Sequence, residues 1–165
     1  ALFNKTSQEQ NLFQFEELLR ETLGLLRSEF VLRGVTPLVE LEPELPGVLG
    51  NRIELQQVAL NLVVNALEAM AELPPASRRL HISTCRQSPG MIRASFRDFG
   101  PGFPEAQLSR LFEPFFTTAA SGMGMGLAIC QSIIEVHGGR LWAVNNPDRG
   151  ATFHFTLPIP DGDNA

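Results

Sequence analysis

The sequence predicts a two-layer α/β sandwich, with helices packed over a mixed or antiparallel sheet. Three observations carry this. Apolar residues recur at spacings of three and four over long stretches, the period of a helix with one buried face. Shorter stretches alternate apolar with polar residues, the period of a half-buried strand. Turn residues join most of these strands directly to one another, so they pair as hairpins, which argues against a doubly wound parallel sheet.

The elements follow in order. Residues 1–12, with Asn4, Lys5, Thr6, Ser7, Gln8, Glu9 and Gln10, are polar without a strong period and read as a linker from an upstream element. From about Phe13, the positions Phe15, Leu18, Leu19, Thr22, Leu26 and Phe30 define one helix face, and Gly34 supplies its stop. Val35 to Leu41 reads as a strand, placed at a sheet edge because Pro37 has no N–H to donate to a ladder. Glu42 to Gly50 is a Pro/Gly turn region. A second helix runs from about Arg52 to Glu72, with Leu55, Ala59, Leu62, Ala66 and Met70 facing the core and Pro74 and Pro75 closing it. Its opposite stripe is polar: Glu54, Gln57, Asn61, Asn65, Glu68 and Glu72.

Leu80, Ile82 and Thr84 alternate on one strand and Ile92, Ala94 and Phe96 on the next, with Ser88, Pro89 and Gly90 between them and Asp98 at the end of the second. Leu127 to Val136 reads as a helix stopped by Gly138 and Gly139. Arg140 to Asn145 and Ala151 to Leu157 form a last strand pair around the turn from Asn146 to Gly150. Residues 159–165 are a frayed tail, which leaves 13–158 as the folded domain.

A chain of 165 residues with 44% apolar residues is one globular domain with room for a core, and excludes disorder or a coiled coil as whole-chain readings. A net charge of −5 without a Lys/Arg cluster argues against binding a nucleic-acid backbone. Cys85 and Cys130 lack the spacing of a zinc site or a disulfide framework and read as reduced thiols. No apolar run approaches the roughly 20 residues that cross a bilayer, and no signal peptide is visible, so the expected location is the cytosol, without membrane contact. His81, His137 and His154 have no metal-like spacing and read as core or surface residues.

Chemistry concentrates in four segments. Asn61 and Asn65 are four apart, so they lie one turn from each other on one helix face. Their carbonyl oxygens are neutral hard donors suited to Mg²⁺, although two asparagines alone are more often a solvated face. Asp98 ends an apolar strand before Gly100 and Gly102; its carboxylate is acceptor-only and suits an exocyclic amino group such as that of adenine, or it is a plain turn aspartate. Gly122, Gly124 and Gly126 precede the helix from Leu127, where N–H groups can meet a polyphosphate. The spacing is not that of a P-loop or of a dinucleotide fold. Phe112, Phe115 and Phe116 lie between the glycine clusters, as core anchors of a loop that serves as a lid.

In this order the segments resemble the N, G1, F and G2 boxes of the catalytic ATP-binding domain of bacterial sensor histidine kinases, within the gyrase, Hsp90, kinase and MutL ATPase superfamily. NALEAM, FEPFFTT and HGGRLWA are most similar to the nitrogen-regulation and oxygen-sensor type. The resemblance covers nearly the whole chain and implies the Bergerat fold, a mixed sheet with three main helices on one face. It implies that Asn65 binds Mg²⁺ and that Asn61 lines the same cleft. It also implies that Asp98 accepts from the adenine amino group, with Gly100 and Gly102 shaping the pocket and Thr152 near the same carboxylate. Gly122, Gly124 and Gly126 then meet the phosphates of ATP beside Leu127, and Phe112 hinges the lid.

The hydrolases of the superfamily carry a glutamate base at the place of Asn61, so the amide favours transfer to a protein acceptor. Kinases of this type commonly carry a lysine after the paired threonines; here Ala119 and Ala120 follow Thr117 and Thr118, leaving Arg110, Arg140 or a partner domain to supply the charge. None of the three histidines sits in a phosphoacceptor segment, so the acceptor is expected on a separate dimerisation domain, with a response regulator as partner of the parent protein and the isolated domain a monomer. The competing readings are a hydrolase of the same superfamily, an anti-sigma-type serine kinase, and a non-catalytic nucleotide-binding module.

Overall fold

The computed structural model describes residues 10–116 and 124–160. Strand β1 (Asn11–Phe13) leads into helices α1 (Phe15–Leu25) and α2 (Arg27–Arg33), then strands β2 (Leu38–Leu41) and β3 (Val48–Gly50). Helix α3 (Arg52–Ala69) follows, then a 3₁₀ turn (Pro75–Ser77) and the hairpin β4 (Leu80–Gln87) and β5 (Met91–Asp98). A short helix α4 (Glu105–Leu108), helix α5 (Gly124–Val136) and the pair β6 (Leu141–Asn145) and β7 (Ala151–Pro158) complete the order.

The main sheet has the order β2-β4-β5-β7-β6, parallel only between β2 and β4. It is therefore mixed, as expected, and β2 lies at an edge just after Pro37. Leu80, Ile82, Ile92, Ala94, Phe96, Phe153 and Phe155 turn one face of the sheet into the core, against α1, α3 and α5. Phe15 of α1 meets Phe155 edge-on at 5.6 Å, and Phe155 stacks on Phe96 at 6.0 Å. Each such buried ring contributes roughly 1.5–3 kcal/mol relative to exposure, and with Leu18 and Leu19 buried beside Phe15 the stack helps fix how α1 lies across the sheet.

The first helix was expected unbroken to Gly34, but it breaks at Leu26, whose N–H is shared between the carbonyls of Thr22 and Leu23. The buried face survives the break, because Thr22, Leu26 and Phe30 are four apart on either side of it and all three are buried. Gly34 closes α2 in the left-handed region, at φ 68°, where a side chain would be strained. Asn51 caps α3 by accepting from the Glu54 N–H at 3.0 Å.

Two short strands depart from the expectation. Asn11 to Phe13, at the end of the stretch read as a linker, pairs antiparallel with Val48 to Gly50, in the region read only as turn. His137 locks this corner: its Nε2 accepts from the Asn51 N–H at 3.0 Å and its Nδ1 donates to the Ile133 carbonyl at 2.7 Å.

The opposite face of the sheet is polar. His154 stacks on Trp142 and shares a 2.7 Å hydrogen bond with Ser95. Burial, with the Arg93 charge beside it, pushes the His154 pKa down from 6.5 to about 4. Below 6.5 the unfolded chain therefore takes up a proton that the folded chain refuses, so the His154 contribution to stability falls as pH drops from 6.5 to about 4 and levels off below. Urea unfolding across that window is expected to show a smaller loss of midpoint in His154→Gln than in the parent chain, the difference being the quantity that reports on this residue.

Candidate nucleotide-binding site

Strand β5 ends in a carboxylate buried to 2% exposure, that of Asp98. One oxygen, Oδ1, accepts from the Gly100 N–H at 2.9 Å and the Ala151 N–H at 3.3 Å. The other, Oδ2, receives no hydrogen bond from the described residues. Burial raises the pKa above the ordinary aspartate value, and the Gly100 and Ala151 bonds offset part of that. A desolvated carboxylate with one oxygen satisfied and one open is a hydrogen-bond acceptor waiting for a donor.

Close approach makes the glycine after it necessary. A Cβ on Gly100 would stand 2.8 Å from the Ala69 carbonyl, so a side chain there would drive the strand end away from the last turn of α3. Gly102 begins the next bend, beside Asn145. Ala69, Asn65 and Asn61 are spaced by four on α3 and so form one stripe. At its far end the Asn61 amide donates to the Cys130 Sγ of α5 at 3.4 Å, and burial pushes that thiol up, keeping it protonated. Asn65 is half-buried between the two contacts and carries no hydrogen bond to the described residues.

Helix α5 begins three residues earlier than expected. Gly124 is its first residue and Gly126 lies in its first turn, so these two glycines open the helix instead of preceding it. Gly122 lies outside the described residues, as do Thr117, Thr118, Ala119 and Ala120. Leu127 is half-buried one position on.

Phe112 packs edge-on against Phe153 at 6.1 Å, as a core anchor should. Phe115 does not: it is 79% exposed with φ 68°, because the chain turns sharply there and throws the ring outward. Phe116 lies under the Arg110 guanidinium at 4.5 Å. Arg110 also pairs with Glu113, and Arg140 lies over the Trp142 ring, so both arginines considered for phosphate have partners of their own.

Three positions went unread in the sequence. Asn146 donates to the Asp98 carbonyl at 3.1 Å and accepts the Thr152 hydroxyl, so Thr152 reaches Asp98 through an asparagine and its main chain. Asn145 accepts from the Phe103 N–H at 2.9 Å and donates to its carbonyl at 2.7 Å. Arg149 donates to the Phe99 carbonyl at 2.8 Å. The signal available was the polar turn Asn145, Asn146, Asp148, Arg149, whose short amides habitually bond backbone.

Residues 50–161 match the family described as histidine kinase-, DNA gyrase B- and HSP90-like ATPases. The chain belongs to this family. It is 47% identical over 121 residues to the sensor protein FixL of Bradyrhizobium diazoefficiens, covering 73% of this chain and 24% of that protein. It is 41% identical over 156 residues to the sensor protein TdiS of Thauera aromatica, covering 94% and 28%. The chain thus spans about a quarter of the length of these relatives. The solved catalytic domain of the histidine kinase ThkA superposes with a TM-score of 0.82 at 34% identity, over 92% of this chain and 97% of that one. The five-stranded mixed sheet with helices on one face is the fold of the catalytic domains of this family. Among the described residues no helix is long and apolar enough to cross a membrane.

Gly150 gives a direct test of how tightly the Asp98 corner is built. Its φ is 83°, and a Cβ would lie 2.2 Å from the Asp98 carbonyl oxygen, a backbone atom that cannot swing away. Gly150→Ala is expected to cost about 2–4 kcal/mol in urea unfolding, from left-handed strain and overlap together. A loss below about 1 kcal/mol would mean that the corner is looser than its geometry.

Proposed function

We propose that this chain is the ATP-binding catalytic domain of a sensor histidine kinase, which presents the γ-phosphate of Mg·ATP to a histidine on a separate dimerisation domain of the parent protein. The observation that carries it is the buried Asp98 carboxylate with Oδ1 held by Gly100 and Ala151 and Oδ2 left for a ligand. Family membership and the likeness to kinase catalytic domains support it independently.

Asp98 accepts from the adenine amino group, in a pocket shaped by Gly100, Gly102 and the Thr152–Asn146 pair. Asn65 offers its amide oxygen to Mg²⁺, a hard cation that prefers a few protein oxygens beside phosphates and water. Asn61, its Nδ2 engaged by Cys130, keeps its carbonyl oxygen for the same cleft. Gly124 and Gly126 bring backbone N–H groups to the phosphates at the start of α5, next to Leu127, where the helix dipole favours negative charge, and Gly122, outside the described residues, is assigned to the same phosphates by its place in the motif. Phe112, seated on Phe153, is the hinge of the lid.

Bound Mg·ATP supplies the phosphoryl group, and the chain contributes position and charge stabilisation. The amide at position 61 is not a base and takes no proton from water, and the Asp98 carboxylate is given to the adenine amino group. The acceptor histidine therefore brings the nucleophile. The solved complex of ThkA with the response regulator TrrA, at 31% identity over 96% of this chain, supports a response regulator as the next partner. The isolated chain is expected to be monomeric, with no nucleic-acid or membrane contact.

Calorimetric titration with a non-hydrolysable ATP analogue tests this. Binding is expected to require Mg²⁺ and adenine. Asp98→Asn replaces a charged acceptor and is expected to lose about ten- to a hundred-fold in affinity. Because the Asp98 pKa is raised, affinity should also begin to fall at a higher pH than an ordinary aspartate would give as the solution is acidified. Binding indifferent to Asp98 sinks the site. Steady ADP release with no transfer to a supplied acceptor domain would favour hydrolysis, and an acid-stable label a serine acceptor.

A further inference from the structure

A cavity of about 410 Å³ opens beyond the C-terminal end of α3, lined among others by Leu73, Ala76, Ser77, Arg79, Phe99 and Arg149. None of the residues assigned to the nucleotide lines it. Two of its walls are arginines and none is a carboxylate, in a chain with 18 acidic and 13 basic residues.

The arginines differ from their neighbours in what remains to them. Arg78 spends its guanidinium on the carbonyls of Leu73, Arg33 and Ala71, and Arg97 spends its own on Asp148. Among the described residues Arg149 is bonded only through Nε, to the Phe99 carbonyl, and its two terminal amino groups make no hydrogen bond at the rim. Arg79 makes no hydrogen bond or ion pair with the described residues. Between these cations lie the apolar surface of Leu73, the Phe99 ring, which carries the Arg97 guanidinium over it at 5.0 Å, and the Ser77 hydroxyl.

We infer that this cavity is a second ligand site, for a small organic anion with a flat apolar body and a carboxylate or phosphate end. The volume is that of a small-molecule pocket, and the guanidinium fork matches either anion in bidentate geometry. Both arginines face water, so the attraction is screened and the expected dissociation constant is roughly 0.1–1 mM. The inference does not rest on the kinase reading.

The test is an NMR titration of the ¹⁵N-labelled chain with 1-naphthoate, alone and with the non-hydrolysable ATP analogue present. Saturable shifts are expected at Ser77, Arg79, Phe99 and Arg149, with the same midpoint in both cases. The neutral 1-naphthalenemethanol should bind several-fold more weakly. Arg79→Ala should weaken 1-naphthoate by about three- to ten-fold and Arg79→Glu more. Arg79 is exposed and bonded to nothing, so these variants keep the fold. Shifts at Asn65 and Asp98 that the nucleotide abolishes, equal binding by the alcohol, equal binding by Arg79→Glu, or no saturation below roughly 10 mM would each overturn the assignment. If the chain binds no nucleotide, the titration without it still decides.

Discussion

The closure of the strand end around the Asp98 carboxylate is the constraint from which the rest of the site follows. A carboxylate at 2% exposure is stable only if its charge is answered by hydrogen bonds or its proton is retained. The chain answers with two backbone N–H groups, one from the residue two ahead in sequence and one from Ala151, 53 residues away. The second of these ties β7 to β5 at the level of the turn. The first forces the main chain back so sharply that position 100 meets the carbonyl of Ala69. Local turn chemistry and the seat of the long helix are thereby one geometry.

From that seat the helix carries position across the layer. Ala69 abuts Gly100, Asn65 stands one turn back, and Asn61 one turn further touches Cys130 of α5. A helix is stiff over two turns, so fixing its two contacts fixes the amide between them without any bond to that amide. The other end of α3 is held just as firmly, by the Asn51 cap, the His137 bridge and the β1–β3 pair. Arg52, at the first turn, adds a contact over the Phe13 ring and an ion pair with Glu21. Any movement of residues 11–13 thus bears on the helix that carries both asparagines.

How much of this was legible in the sequence depends on the range of the interaction. The buried face Phe15, Leu18, Leu19, Thr22, Leu26 and Phe30 is read directly from spacing, and all six residues are buried, because burial of a helix face is a local pattern. The β4–β5 hairpin and the edge position of β2 were likewise readable from turn residues and Pro37. The parallel pairing of β2 with β4 was not, since nothing in four residues fixes the direction of a partner such as His81, which pairs with Leu38. The three-residue strands β1 and β3 escaped for the same reason: neither is long enough to show alternation, and each exists only through the other. The site divides similarly. Asp98 and its glycines stood out by composition, whereas Asn145, Asn146 and Arg149 act through backbone carbonyls that no motif encodes. Phe115 was misplaced among the core anchors because a run of aromatics gives no sign of which ring a turn will expel.

The ionisation chemistry of the candidate residues finally limits what the site does on the proposed reading. Among Asn61, Asn65, Asp98, Phe112, Leu127, Thr152 and the glycines, Asp98 alone carries a titratable carboxylate. That carboxylate lies at the strand end, two positions from Gly100, and Oδ1 is already engaged. The Cys130 thiol, which accepts from the Asn61 amide, is buried and held protonated, so it is no nucleophile at neutral pH. A phosphoryl group placed at the start of α5 would meet neutral amides and backbone N–H groups, which stabilise charge and hold position but accept no proton. On the proposed reading these residues hold and stabilise the phosphoryl group, and the nucleophile is the acceptor histidine of another domain.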